Sequence, residues 1–181
     1  MINGTKINLR LYKNEREVIE INNIFNDLEN RAATDHTEIY SNVCQVKWFG
    51  ENGFWSRDNG TMLIETKDNV IVGTINFGRK SEFELSLGYR IFEDKNRNKG
   101  YMTEALKIFS SYLFDTIPLI TRLSLYTAED NVSSRKLAEK CGYSQEGILR
   151  EAYFYREKIC NWVIYSLLRR ECAEIESKNK P

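Results

Sequence analysis

Histidine and proline are scarce in this chain, long apolar runs are missing, and so is any excess of charge. The single histidine, His36, argues against a histidine-built metal site or a Ser-His-Asp triad, so no metal is expected and His36 reads as a surface or groove residue. Twenty-six basic and 26 acidic residues balance. No global field or basic stripe therefore selects nucleic acid or an anionic membrane. No apolar run approaches the roughly 20 residues needed to span a bilayer, and the opening MINGTKINLR has no hydrophobic signal core. Cys44, Cys141, Cys160 and Cys172 show no CxxC spacing, which points to reduced thiols in a cytoplasmic protein rather than a disulfide framework. Neither the Walker loop G-x-x-x-x-G-K-[ST] nor the dinucleotide fingerprint G-x-G-x-x-G occurs. Internal repeats, low-complexity tracts and linkers are also missing, and 181 residues suit one domain with a proper core.

What is present is organised around residues 93–114, EDKNRNKGYMTEALKIFSSYLF. Phe83, Leu85, Leu87, Tyr89 and Ile91 alternate just before it, the period of a half-buried strand. A basic turn, Arg97-Asn98-Lys99-Gly100, follows, and then Met102, Ala105, Leu106, Phe109 and Leu113 mark the apolar stripe of a helix packed on a sheet. Strand, glycine turn and helix start make an anion site: unpaired N–H groups point outward, and the helix dipole adds about half a positive charge. Gly100 lets backbone approach a ligand or adopt positive φ. A phosphate or pyrophosphate is the natural guest, although most polar turns with one glycine bind nothing.

The remaining elements follow in order. Lys6 to Tyr12 reads as a strand, Glu15 to Leu28 as an amphipathic helix, and Thr34 to Phe49 as a helical segment capped by Thr34 or Asp35. The aromatic stretch Trp48 to Trp55 is either a core-covering loop or a wall of an acceptor pocket. Thr61 to Thr66 and Val70 to Phe77 are strands joined by a polar turn, Lys67-Asp68-Asn69, and Glu82 to Phe92 is the next strand. After a break at Pro118 come a strand over Arg122 to Thr127 and a short helix from Asn131 to Lys140, stopped at Gly142. A strand from Tyr143 towards Tyr155 and a buried strand over Asn161 to Leu168 precede a polar, frayed tail from Glu171. The class is α/β (α+β): a mixed sheet with helices on both faces.

Four stretches now bear comparison. R-N-K-G-Y-M-T-E-A-L, residues 97–106, resembles the Q/R-x-x-G-x-G/A loop of the GCN5-related N-acetyltransferases. NVSSRKLAEKCGYSQEGILR, residues 131–150, resembles the N-x-x-S…GF…EG-x-L-R signature of their ribosomal-protein N-terminal branch, and Leu87-Gly88-Tyr89 and Val163 to Leu168 match that branch too. The similarity runs over about residues 6 to 170. It implies a splayed, mostly antiparallel, seven-stranded sheet gripping acetyl-coenzyme A between its fourth and fifth strands. The pyrophosphate would sit on backbone N–H groups of Asn98, Lys99, Gly100, Tyr101, Met102 and Thr103, with Arg97 as a nearby charge. The pantetheine arm would run along the strand ending at Ile91 and Phe92, and Asn131 would bond the cofactor.

The implied chemistry is acyl transfer from a thioester to an amine, which needs amine deprotonation, an oxyanion donor and a partner for the departing thiolate. A backbone N–H near Arg90 or Ile91 suits the oxyanion. Many family members place a tyrosine where this chain has Ala138; the ribosomal-protein branch uses a serine, and Ser134 stands at that position, where it could equally be an ordinary helix-start residue. The acids of that branch are replaced by Ser86 and Tyr153. Glu84, two residues before Ser86 on the same strand face, is the remaining candidate base, acting through water. The resemblance therefore implies an acetyl-coenzyme A-dependent transferase acting on a primary amine, first a protein or peptide N-terminus. A small amine (polyamine, aminoacyl compound or antibiotic) and a non-catalytic coenzyme A-binding module stand as alternatives, and a homodimer is left open. A polyamine would want convergent acids, for which Glu38, Glu51, Asp58, Glu82 and Glu84 are available.

Overall fold

The computed structural model describes residues 1–27, 38–155 and 158–178. Eight strands form one sheet in the order β1-β2-β3-β4-β5-β6-β8-β7. They are β1 (Ile2–Asn3), β2 (Ile7–Arg10), β3 (Asn59–Thr66), β4 (Ile71–Arg79), β5 (Glu84–Ile91), β6 (Arg122–Ala128), β7 (Ser144–Tyr155) and β8 (Lys158–Leu168). Every neighbouring pair is antiparallel except β5 and β6. The expected seven strands become eight because Ile2–Asn3 pairs with Asn8 and Leu9. Two residues carry no readable period, so this strand exists through its partner alone.

The helices are α1 (Glu15–Asn26), α2 (Asn42–Asn52), α3 (Tyr101–Thr116), α4 (Val132–Lys140) and α5 (Arg169–Lys178). One face of the sheet is covered by α3, whose Ala105, Leu106, Phe109 and Leu113 are fully buried against β-strand residues including Ile7, Ile64, Leu85 and Leu123. Side chains of that size each contribute about 1.5–3 kcal/mol on burial. On the opposite face Ile21 and Phe25 of α1 pack against Leu63 and Phe92. Leu63 and Ile64 thus serve different cores, as strand alternation requires.

Two expectations change and one open choice is resolved. The second helix starts at Asn42, with Ser41 accepting from the Val43 N–H, and stops at Gly53 in the left-handed region at φ 64°; the caps proposed at Thr34 and Asp35, like His36, lie outside the described residues. Within the aromatic stretch, Phe49 and Phe54 pack on Tyr12 at 6.4 and 5.2 Å, and Trp55 packs on Phe77 at 5.3 Å, so these three rings cover core. Finally, the segment from Glu171 is the body of α5, not a frayed tail: Cys172 is buried, and the Arg169 guanidinium donates to the carbonyls of Phe114, Ile117, Pro118 and Ile120.

Candidate active site

The parallel pair β5 and β6 is where the sheet comes apart. Its ladder runs from Glu84↔Arg122 to Leu87↔Leu125 and stops, although β5 continues to Ile91 and β6 to Ala128. Beyond Leu87 the two strands diverge. Which groups face the gap follows from register: the Phe92 N–H bonds the Val72 carbonyl at 3.0 Å, and Arg90 and Gly88 lie opposite Thr74 and Asn76 at the same parity. Those residues direct backbone groups at β4, which leaves Tyr89 and Ile91 to direct theirs at the gap. Of Arg90 and Ile91, register favours Ile91 as an oxyanion donor. Phe92 does not line the gap, because its N–H is used by β4 and its ring is buried beside Phe25.

At the open end stands the basic turn. A single turn of 3-10 helix, Asp94–Asn96, precedes it and was not foreseen. Asn98 and Gly100 both adopt the left-handed region, φ 59° and 82°, and Gly100 is the N-cap of α3. The other helix starts show what is special here. Asn14, Ser41 and Asn131 cap α1, α2 and α4 with a side-chain oxygen, whereas α3 starts at a glycine with no side-chain cap. The first bond of α3 runs from the Glu104 N–H to the Gly100 carbonyl, so the N–H groups of Tyr101, Met102 and Thr103 have no intrahelical acceptor. Arg97 is ion-paired with Asp94 at 2.9 Å and half exposed, and Lys99 is exposed.

A third cation reaches this turn from far away in sequence. Lys6 Nζ donates to the Lys99 carbonyl at 3.2 Å, and a Cβ on Gly100 would lie 3.2 Å from the same nitrogen. Lys6 is held in place by Glu104, whose carboxylate accepts from the Thr5 N–H, from the Thr5 hydroxyl at 2.7 Å and from the Lys6 N–H at 2.9 Å. Burial pulls the Glu104 carboxyl up, but these hydrogen bonds more than offset it and hold it below the usual carboxylate value. No local signal marks a pair 93 residues apart.

Across the gap, Asn131 Oδ1 accepts from the Ser134 N–H at 3.1 Å, which places Ser134 in the first turn of α4 and leaves Asn131 its amide nitrogen as a donor. Ser134 Oγ is 2.7 Å from the Tyr89 hydroxyl, a bond that joins the β5 arm to the helix following β6. Burial, partly opposed by that bond, pushes the Tyr89 phenol up to about 12.

Glu84 sits at the closed end of the β5–β6 ladder, 3.7 Å from Arg122 Nε. Four residues separate it from Gly88, roughly 13 Å along a strand. Arg122 also binds Glu146 at 2.9 Å, and Glu146 accepts from Ser166. Tyr153 packs edge-on against Trp162 at 5.0 Å, and Trp162 packs on Tyr126 at 5.4 Å.

The parallel pair is thus split, with an uncapped, cation-flanked helix start at its mouth, and comparison with known proteins supplies the family. Residues 6–144 match the family model described as Acetyltransferase (GNAT) domain. The chain belongs to the GNAT acetyltransferase family. This acetyltransferase is 28% identical over 109 residues to the uncharacterized N-acetyltransferase YoaA of Bacillus subtilis (strain 168), covering 59% of the chain and 60% of YoaA. With YdaF of the same organism, named a putative ribosomal N-acetyltransferase, it shares 32% identity over 93 residues, 51% of the chain and 48% of YdaF. The matched segments thus span about half to three-fifths of these relatives' length. Among solved structures, the spermidine N-acetyltransferase of Vibrio cholerae in complex with CoA and spermine superposes with a TM-score of 0.80 at 16% identity, covering 94% of this chain and 99% of that one. The microcin C7 self-immunity acetyltransferase MccE, in complex with acetyl-CoA and AMP, gives 0.74 at 20% identity, covering 91% and 93%. At such identities the likeness is one of fold. Family membership makes the chain an acetyltransferase domain that draws on acetyl-CoA.

Proposed function

We propose that the acetyltransferase modifies a protein or peptide N-terminus in a ternary complex with acetyl-CoA, and that it works in the cytoplasm. The observation that carries the acceptor assignment is the state of the acids a polyamine would need. Asp58 is paired with Arg79 at 3.2 Å, Glu82 with Arg57 at 2.7 Å and Glu84 with Arg122 at 3.7 Å. Glu38 accepts from the Tyr40 hydroxyl at 2.8 Å, and Glu51 lies near the end of α2. Three of these five acids are already ion-paired, so a polycation would have to compete with Arg57, Arg79 and Arg122 for them. A mono-amine at a peptide N-terminus makes no such demand. The sequence signature of residues 131–150 and the YdaF similarity favour the same acceptor. Four free cysteines fit a reducing compartment, and no helix among the described residues is long and apolar enough to cross a membrane.

The site residues take these roles. The N–H groups from Asn98 to Thr103, with Lys99, Arg97 and Lys6 around them, hold the diphosphate. The backbone of Tyr89 and Ile91 pairs with the pantetheine arm as an added strand would, and the Asn131 amide nitrogen donates to it. Bound acetyl-CoA supplies the activated acyl carbon. The Ile91 N–H stabilises charge on the carbonyl oxygen, and Ser134 Oγ donates to the sulfur as the C–S bond breaks. Glu84 reaches the amine only through a chain of waters, its distance and its ion pair being what they are. An N-terminal amine, with an ordinary pKa near 7.7–8.0, already has a deprotonated fraction at neutral pH and needs little help from a base.

The test is free-thiol release from acetyl-CoA against N-terminal peptides, spermidine, spermine and amine antibiotics. Release with peptides at a kcat/KM at least ten-fold above the rest is expected. Preferential release with a polyamine overturns the acceptor assignment.

A further inference from the structure

We propose that Tyr89 is a positioning residue for the transfer: its hydroxyl donates to Ser134 Oγ and thereby turns the serine's single hydrogen outward, towards the sulfur of the thioester. This rests on the role given to Ser134 above. The same pair of side chains occurs twice in this protein, and the contrast between the two is informative. Tyr143 and Ser110 lie 2.7 Å apart, both buried, and Ser110 Oγ also donates to the Leu106 carbonyl at 2.7 Å. A hydroxyl has one hydrogen to give. Ser110 spends its own on the helix backbone, so Tyr143 is the donor and the couple is closed. Ser134 has the same short contact with a tyrosine, but among the described residues its Oγ has no acceptor beyond Tyr89. It is half-buried, on the first turn of α4, facing the diverging half of β5.

A phenol is the more acidic of the two hydroxyls and donates more readily than it accepts. With Tyr89 as donor, the hydrogen of Ser134 is left for a group in the gap. Without that bond, Ser134 is free to rotate, or to turn back on a helix carbonyl as Ser110 does. The atoms balance simply: the amine nitrogen forms the new bond to the acyl carbon, the C–S bond breaks with its electron pair going to sulfur, and the proton lost by nitrogen leaves to water. Tyr89 loses no proton in this. Its raised pKa keeps it a neutral donor across the working range, while a thiol, near 8.5 when free, is far more acidic. Its contribution is orientation of a hydrogen bond that matters as the sulfur becomes anionic.

The experiment measures kcat, KM for acetyl-CoA and thermal stability in Tyr89→Phe, Ser134→Ala and the double variant, using the amine that releases thiol fastest in the panel above. Tyr89→Phe is expected to lower kcat about three- to ten-fold, the scale of one neutral hydrogen bond, with KM for acetyl-CoA and Tm nearly unchanged. Ser134→Ala should lower kcat further, and adding Tyr89→Phe to it should change nothing more. An unaltered kcat in Tyr89→Phe, beside an impaired Ser134→Ala, overturns the positioning role and leaves Ser134 in place. Normal turnover in Ser134→Ala overturns both. A loss from Tyr89→Phe that persists undiminished in the Ser134→Ala background assigns Tyr89 to packing and overturns the proposal. Site-specific difluorotyrosine at position 89 covers the case in which the phenylalanine variant is unstable. It keeps the shape and lowers the phenol pKa, so kcat should fall as pH rises through the new value; a profile identical to the parent's overturns the proposal.

Discussion

Gly100 carries three duties in a position that admits no side chain. Its φ of 82° is left-handed, its Cβ would press on Lys6 Nζ, and its lack of a capping group leaves the first N–H groups of α3 to an anion. Gly100→Glu should therefore fail in three ways: about 1–3 kcal/mol of backbone strain, a carboxylate competing for Lys6, and a negative charge where the diphosphate belongs. Acetyl-CoA affinity by calorimetry should drop more than ten-fold, and Gly100→Ala should lose less because it brings only the strain and a small displacement of Lys6 Nζ, with no added charge. Unchanged affinity would remove the diphosphate from this turn. Gly100 and Ser134 were legible in the sequence because each sits inside a short motif whose spacing is local. The partner of each was not. Lys6 lies on another strand, Tyr89 is 45 residues from Ser134, and nothing within a few residues of either announces the contact. Glu84 illustrates the opposite failure: alternation correctly put it on one strand face, but only the register with Arg122 reveals how far it is from the opening.

Among the elements, the tie between the N-terminal segment and α3 fixes the surface loop to which the diphosphate is assigned in the proposed function. Glu104 accepts from Thr5 and Lys6 and so fixes the cation that leans on Gly100. Glu104→Gln keeps the shape but gives up the charge, and should cost about 1–2 kcal/mol of stability, with weaker acetyl-CoA binding through a loosened Lys6. The pH dependence has a definite sign. The folded-state pKa of Glu104 is lowered, so its contribution is fully present above the unfolded value near 4.5 and is lost as pH falls through the lower, folded value. Tm measured from pH 7 downwards should show the parent and Glu104→Gln starting to converge only once pH falls below 4.5; parallel curves would mean that the carboxylate charge is not what holds the segment. The helices α1, α3 and α4 were readable from period and caps. α5 was not, because a polar helix held by one guanidinium on four carbonyls looks like a tail until those carbonyls are placed beside it.

For the molecule as a whole, the order of strands and helices could be read from alternation and turn chemistry; the insertion of β8 between β6 and β7 was not readable, and the early end of the β5–β6 ladder was implied only by the family resemblance. Both are properties of long-range pairing, and the second is the proposed binding site. Splitting a parallel pair forfeits ladder hydrogen bonds from Tyr89 and Ile91, groups that water must satisfy until a ligand does. A molecule that bonds both arms and the α3 start restores those bonds and closes the gap at once, so stability should depend strongly on the acyl donor. At a hundred-fold excess over its Kd, acetyl-CoA adds about 2.7 kcal/mol, which for a chain of this length raises Tm by roughly 5–10 °C. The same concentration of a free amine, which contacts one face of the opening only, should raise it far less. Gly100→Glu should flatten the acetyl-CoA response, whereas Ser134→Ala, whose proposed role lies in the breaking of the C–S bond, should preserve most of it. A thermal shift lost in Ser134→Ala but kept in Gly100→Glu would place the main hold on the cofactor at α4 rather than at the start of α3.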